Sequence, residues 1–203
     1  MKHIIHCGLF IIVLTGLSAE AFADKTYIGI DFGVATVELP HATADVRMLR
    51  GRFGMVLNPE SAFRVGFESH MAFGLKNAVT VRETTNSVED IEIELESILG
   101  LYAKAEFFNV GIMGAYGLLG IAAVQTGPGL PALTDNGTAV LDNDNEPVFN
   151  TDSSTGLSYG VGLTIFLAKS ISLQIEVLQV QTAEEKNLDF SVSTVTAGIN
   201  FEL

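Results

Sequence analysis

The chain finishes on Thr196-Ala197-Gly198-Ile199-Asn200-Phe201-Glu202-Leu203, where apolar Ile199, Phe201 and Leu203 alternate with Gly198, Asn200 and Glu202. Strict alternation puts the two sets on opposite faces of a strand. A half-apolar strand in last position predicts a closed barrel, because pairing it with the first strand leaves no open sheet edge. Closure of this kind constrains the fold more than any single motif in the chain.

The same period of two recurs between turn-rich segments. Tyr27–Val37 sets Ile28, Ile30, Phe32 and Val34 against Gly29, Asp31, Gly33 and Ala35. Val46–Leu57 sets Leu49, Phe53, Met55 and Leu57 against Arg50, Arg52 and Gly54. Phe63–Leu75 sets Phe63, Val65, Phe67, Met71 and Phe73 against Arg64, Gly66, Glu68, His70 and Gly74. Ile91–Ala103 sets Ile91, Ile93, Leu95, Leu99 and Leu101 against Glu92, Glu94, Glu96 and Gly100. Val110–Val124 carries Gly, Ala and Leu on both faces, so its parity stays open. Gly156–Leu167 and Ile171–Gln181 alternate again, the latter with Gln174 and Glu176 on its polar face. With the terminal strand, eight strands are expected.

The breaks predict tight turns at 58–61, 106–109 and 168–170 and longer connections elsewhere. Lys76–Asp90 reads as a polar loop and Gln125–Thr155 as the longest break, acidic and without Lys or Arg. An even strand count puts both termini at the end of the short turns.

At the other end, Met1-Lys2-His3 leads an apolar run, Ile4 to Leu17, and Ala21-Phe22-Ala23 fits a small-residue cleavage site. Residues 1–23 are expected to be a signal peptide and 24–203 the barrel, with Asp24 first in the mature chain. The run falls short of the ~20 apolar residues of a spanning helix. The single cysteine, Cys7, leaves with the signal, which removes disulfide and thiol chemistry. About 180 residues remain, enough for one domain. Eleven Lys and Arg against 24 Asp and Glu exclude nucleic acid as a partner, which needs a basic footprint.

Alternation alone does not say which face is wet; a soluble lipocalin-like barrel would alternate too. Three features favour a membrane. The polar face is rich in Gly, Ala and Ser, suiting the narrow lumen of eight strands. It holds charges of both signs while the apolar face is nearly free of them. The C-terminal octet is the third: its order (polar, any, Gly, any, any, aromatic, any, hydrophobic) resembles the assembly signal of outer-membrane barrels. Thr196, Gly198, Phe201 and Leu203 are the matching positions, Leu203 standing where an aromatic residue is commoner.

With Tyr27-Ile28-Gly29-Ile30-Asp31-Phe32-Gly33, Tyr116-Gly117-Leu118-Leu119-Gly120 and Gly156–Phe166, the chain resembles the small outer-membrane β-barrel family typified by the OmpA N-terminal transmembrane domain and OmpX. The resemblance implies an all-β fold: an eight-stranded antiparallel transmembrane β-barrel with short periplasmic turns and longer extracellular loops. It implies residence in the outer membrane of a Gram-negative-type cell as a monomer; the eight strands use the whole mature length, so a barrel alone, without an appended periplasmic domain, is expected. Outer-membrane lipid including lipopolysaccharide, the barrel-assembly machinery and a surface ligand or host molecule are the expected partners.

The sharpest local feature is inward charge. Arg50, Arg52, Glu68, Glu94, Glu96 and Glu176 are expected to pair across the lumen, since buried charges must be paired or neutralised. A pore or proton path lined by the carboxylates is the alternative, disfavoured because eight strands leave a lumen that side chains fill. Arg47 has the opposite parity and is expected near the outer rim. His70 lies beside Glu68, but Ser69 points the other way, which disfavours a lipid-modifying enzyme. Asp142-Asn143-Asp144-Asn145-Glu146 begins like a Ca²⁺ loop, yet Pro147 replaces the required Gly and the distal Glu is missing. No metal or cofactor is expected. Asn136-Gly137-Thr138 matches a glycosylation acceptor and is read as incidental. The expected function is structural or surface-interactive, not enzymatic, with a side-chain-plugged lumen and a small-solute channel as the alternative.

Overall fold

A computed structural model describes residues 25–39, 42–57, 59, 61, 63–75, 78–83, 88–126, 153–182 and 191–203. Its strands are β1 (Lys25–Leu39), β2 (Ala42–Val56), β3 (Arg64–Gly74), β4 (Ala78–Glu83), β5 (Val88–Ile93), β6 (Leu95–Val110), β7 (Met113–Thr126), β8 (Ser153–Ala168), β9 (Ile171–Thr182) and β10 (Ser191–Glu202). Eight of them close in the order β1-β10-β9-β8-β7-β6-β3-β2, every pairing antiparallel. The terminal strand does pair with the first over Tyr27↔Glu202 to Glu38↔Ser191. The foot of the seam is tied by Leu203 N donating to Thr26 O at 3.0 Å and by Lys25 Nζ to Glu202 Oε2 at 3.1 Å. No helix among the described residues is long and apolar enough to cross a membrane; the strands are the spanning elements.

Three boundaries differ from the sequence expectation. The Lys76–Asp90 loop contains a hairpin, β4 paired with β5, which forms its own two-stranded sheet. The turn expected at Glu106–Asn109 is strand instead, and the chain reverses at Gly111-Ile112. Gly111 has φ of 63°, a left-handed conformation that glycine adopts without steric cost, so the reversal settles there. Between β1 and β2 only residues 40 and 41 intervene, because both strands run on past the expected loop. The expected signal peptide and the stretches 136–138 and 142–146 lie outside the described residues.

The polarity of the two faces changes with height along the barrel. In the lower part, Ile28, Ile30, Phe32, Val161, Leu163, Ile175, Ile199 and Phe201 are exposed on the outer wall. One cross-strand row, Arg47–Val34–Val195–Val177, marks the upper edge of this apolar belt. Above it, on these four strands, the outward residues turn polar, with Thr36 Oγ1 donating to Asp45 Oδ1 at 2.7 Å. The interior switches in the opposite sense. Above the edge it is mainly apolar, built from the buried row Ala44–Val37–Val192–Val180 with Val46, Met48, Leu95 and Val124, alongside buried Thr126, Ser154 and Thr194. Below the edge it is charged. Over β1, β2, β9 and β10 the upper barrel is therefore built like a water-soluble protein and the lower barrel like its inverse.

Candidate functional site

The charged interior is assembled by register. Asp31 on β1 stands directly opposite Arg50 on β2, and Arg52 opposite His70 on β3. Glu68 on β3 is opposite Tyr102 on β6, and Glu176 on β9 opposite Thr196 on β10. Large inward side chains need room, and glycines on neighbouring strands provide it. Tyr27 lies over Gly54, and Tyr116 on β7 lies over Gly162, each glycine being the residue directly opposite. A Cβ at either position would run into the tyrosine ring.

Arg50 is the hub of one half of the cluster. Its Nε donates to Asp31 Oδ2 at 2.9 Å, Nη1 to Glu176 Oε1 at 2.5 Å and Nη2 to Thr196 Oγ1 at 2.7 Å. Arg52 is the other hub. Nη2 donates to Asp31 Oδ1 at 2.7 Å and Asn200 Oδ1 at 2.9 Å, and Nη1 to Glu68 Oε1 at 3.3 Å and to Gln174 Oε1. Its Nε sits 2.7 Å from Asp31 Oδ2, near enough to pair electrostatically although its N–H does not aim at an acceptor. Lys104 on β6 reaches Glu68 Oε2 at 3.1 Å and donates to the Tyr27 hydroxyl at 2.9 Å, which in turn donates to Glu68 Oε2 at 2.5 Å. The ammonium also sits 4.2 Å from the Tyr116 ring centroid, a cation–π contact.

Arg50, Arg52 and Lys104 thus face Asp31, Glu68 and Glu176, three cations against three carboxylates, all less than 5% exposed. Charge is balanced if His70 is neutral, and its contacts suit that form. Nε2 donates to Glu68 Oε1 at 2.9 Å, leaving Nδ1 to face Arg50 Nη1 at 3.4 Å. The imidazole also packs on Tyr102, centroids 4.5 Å apart.

Of the six residues expected in a lumen network, the fold brings Arg50, Arg52, Glu68 and Glu176 together and leaves out Glu94 and Glu96. The pairing of β6 with β7 slips between Leu95 and Ser97. That irregularity turns Leu95 inward, where it is 2% exposed, and leaves Glu94 and Glu96 half-buried. A bulge reverses facing along a strand, so parity counted from Ile91 fails. Asp31, Lys104, Tyr27, Tyr116, Gln174 and Asn200 complete the site without having been singled out. Asp31 did carry a readable signal, an acid between inward Gly29 and Gly33. Its register with Arg50 did not.

Among the described residues, Glu68, His70 and Glu176 bring ligand atoms within 4.8 Å of one another, a donor set of metal-binding type. Each is already engaged by Arg50, Arg52 or Lys104. A divalent ion would have to displace a cation from a balanced site, so the donors fit an ion network better than a metal. Ser69 and His70 face opposite ways; Ser69 Oγ donates to Phe53 O at 3.4 Å, away from the imidazole. They form no nucleophile–base pair.

Residues 9–201 match the family model described as outer membrane protein beta-barrel domain. No curated protein matches the sequence. Among solved structures, OprG from Pseudomonas aeruginosa superposes with a TM-score of 0.58 at 11% identity, over 91% of this chain and 98% of that one. Neisserial surface protein A gives 0.56 at 13% identity, over 87% and 96%. Ail, the attachment invasion locus protein of Yersinia pestis, solved with the heparin analogue sucrose octasulfate, gives 0.53 at 14% identity, over 88% and 98%. At these identities the likeness is one of fold.

Proposed function

The chain belongs to the family of outer membrane protein beta-barrel domains, and from that premise we propose a structural or surface-interaction protein whose lumen is closed by its own side chains. The observation that carries this reading is the doubly filled interior. A charge-balanced, hydrogen-bonded layer crosses the lower barrel, and an apolar layer of buried Val, Met, Leu and Ala lies above it. An ion entering from outside would shed water against the apolar layer and then meet carboxylates already held by arginines. Both steps cost energy that an eight-stranded lumen cannot offset with a hydrated path.

Surface interaction is supported by the β4–β5 hairpin, which lies at the end of the barrel away from the termini. The formal net charge of −13 sets this chain apart from a binder of polyanions such as the ligand in the Ail structure. Basic surfaces, or anionic ones bridged by divalent cations, suit it better. Export follows from residues 1–23 acting as a cleaved signal.

Planar-bilayer recording of the purified protein tests the closed lumen. The mature protein should begin at Asp24, migrate faster on SDS gels before heating than after, and give no steady conductance steps. Regular steps from barrel that passes the gel criterion would establish the channel reading instead.

The C-terminal octet supports a second expectation. Thr196 faces inward onto Arg50, while Phe201 and Leu203 face outward at 42% and 75% exposure. Near a membrane interface a charge on the lipid face costs only about 0–1 kcal/mol. Phe201→Asp should nevertheless cut the amount of assembled barrel in cells severalfold, through lost recognition by the assembly machinery. Its refolding into detergent from urea should stay close to wild type. Normal cellular levels would remove the octet from that role.

A further inference from the structure

The outer wall is uneven at one place. Along the outward face of β6, Ala105 and Ala103 form a shallow floor that Gly117 of β7 extends sideways. Val65 and Phe67 of β3 rise on one side and Leu119 of β7 on the other. Phe107 closes the foot, its ring 5.8 Å from that of Phe63. The groove encloses about 390 Å³ and its surface is almost wholly apolar.

We propose that this groove seats one acyl chain of a phospholipid from the periplasmic leaflet. The groove is continuous with the apolar belt that faces hydrocarbon, so its neighbours in the membrane are acyl chains. It lies at the end of the short turns, the foot of β6 and the start of β7. From Phe107 to Ala103 is four residues, roughly 14 Å of strand at ~3.4 Å each. At a strand tilt of ~40° that spans about 10 Å of depth, inside one half of an apolar band ~25 Å tall. A single chain from one leaflet therefore fills it end to end. A second barrel would bring a convex wall of large side chains, which bridges a narrow groove and leaves its floor empty. Most of the belt is studded with Ile, Leu, Val and Phe and holds lipid only as a fluid annulus; here the step from Phe to Ala and Gly makes a slot where one chain is held longer. The inference needs the barrel to reside in a membrane and is independent of whether its lumen conducts.

The test is native mass spectrometry of the barrel released from phosphatidylethanolamine nanodiscs. Wild type should keep one phospholipid after activation that strips the remaining lipid. Ala103→Phe, and the milder Ala105→Leu, should lower that retained fraction at least several-fold. Ala197→Phe, which enlarges an outward alanine on β10 far from the groove, should leave it unchanged. All three variants are first checked for heat-modifiable migration. No retained lipid in wild type, or equal retention in the folded groove variants, overturns the proposal. So does a wild-type dimer that Ala103→Phe converts to monomer, since the occupant would then be a second copy.

Discussion

Arg52→Ala should destabilise the barrel by about 3–5 kcal/mol, the usual cost of removing one partner from a buried charge network. The guanidinium is within 2.7–3.3 Å of Asp31, Glu68 and Asn200. Asp31 would keep one contact, from Arg50, and Glu68 would lean on Lys104 and His70. Urea unfolding in lipid vesicles measures the loss. Asp31→Asn in the Arg52→Ala background should recover part of it, because residues in one network couple by about 0.5–3 kcal/mol. Glu96→Gln should recover nothing, since Glu96 stands outside the cluster. Arg47→Ala is the outside control. Arg47 is exposed at the upper edge of the belt, where its head reaches the interface, and its removal should cost under about 1 kcal/mol. Equal costs for Arg47 and Arg52, with no coupling to Asp31, would show that the facing of β2 has been misassigned.

Tyr116→Ala should be comparably damaging, about 3–5 kcal/mol, since a buried aromatic ring is lost together with its hydroxyl. The ring fills the space above Gly162 and receives the Lys104 ammonium on its face. Its hydroxyl lies 2.8 Å from Glu176 Oε2 and 3.1 Å from Gln174 Oε1. Tyr116→Phe separates these roles. It keeps the ring and removes a hydrogen bond to a charged acceptor, for which about 1.5–3 kcal/mol is expected. The space argument has its own control. Gly162→Ala should cost about 1–3 kcal/mol by overpacking when Tyr116 is present. In the Tyr116→Ala background the same change should cost much less. Additive costs would mean that the ring does not depend on that glycine.

How much of this was legible beforehand can be seen strand by strand. Facing was readable on β1, β2, β3, β8, β9 and β10, because a shift of one residue flips every side chain and only one parity separates apolar from polar. That placed Arg50, Arg52, Glu68 and Glu176 on the same side of the wall. β7 was unreadable because Gly, Ala and Leu fit either face. β6 was misread at its start because a bulge leaves no mark in a hydropathy pattern, and Glu94 and Glu96 were carried inward with it. The turn at Gly111 was missed for a similar reason: a strand ends where its pairing and its glycine permit, beyond where polarity first rises.

By itself the sequence determined that the wall has two chemically distinct faces, that the last strand closes on the first, and that both charge signs lie on the inner face. Only the tertiary structure decided which charges meet. Asp31 and Arg50 are 19 positions apart, and Arg50 and Glu176 are 126 apart; their contact exists because eight strand registers agree. Tertiary structure also decided where β1, β2, β9 and β10 change character, at the row Arg47–Val34–Val195–Val177. Alternation is the same above and below that row. Which face is apolar depends on whether the outside at that height is hydrocarbon or water, and height is a property of all the strands together.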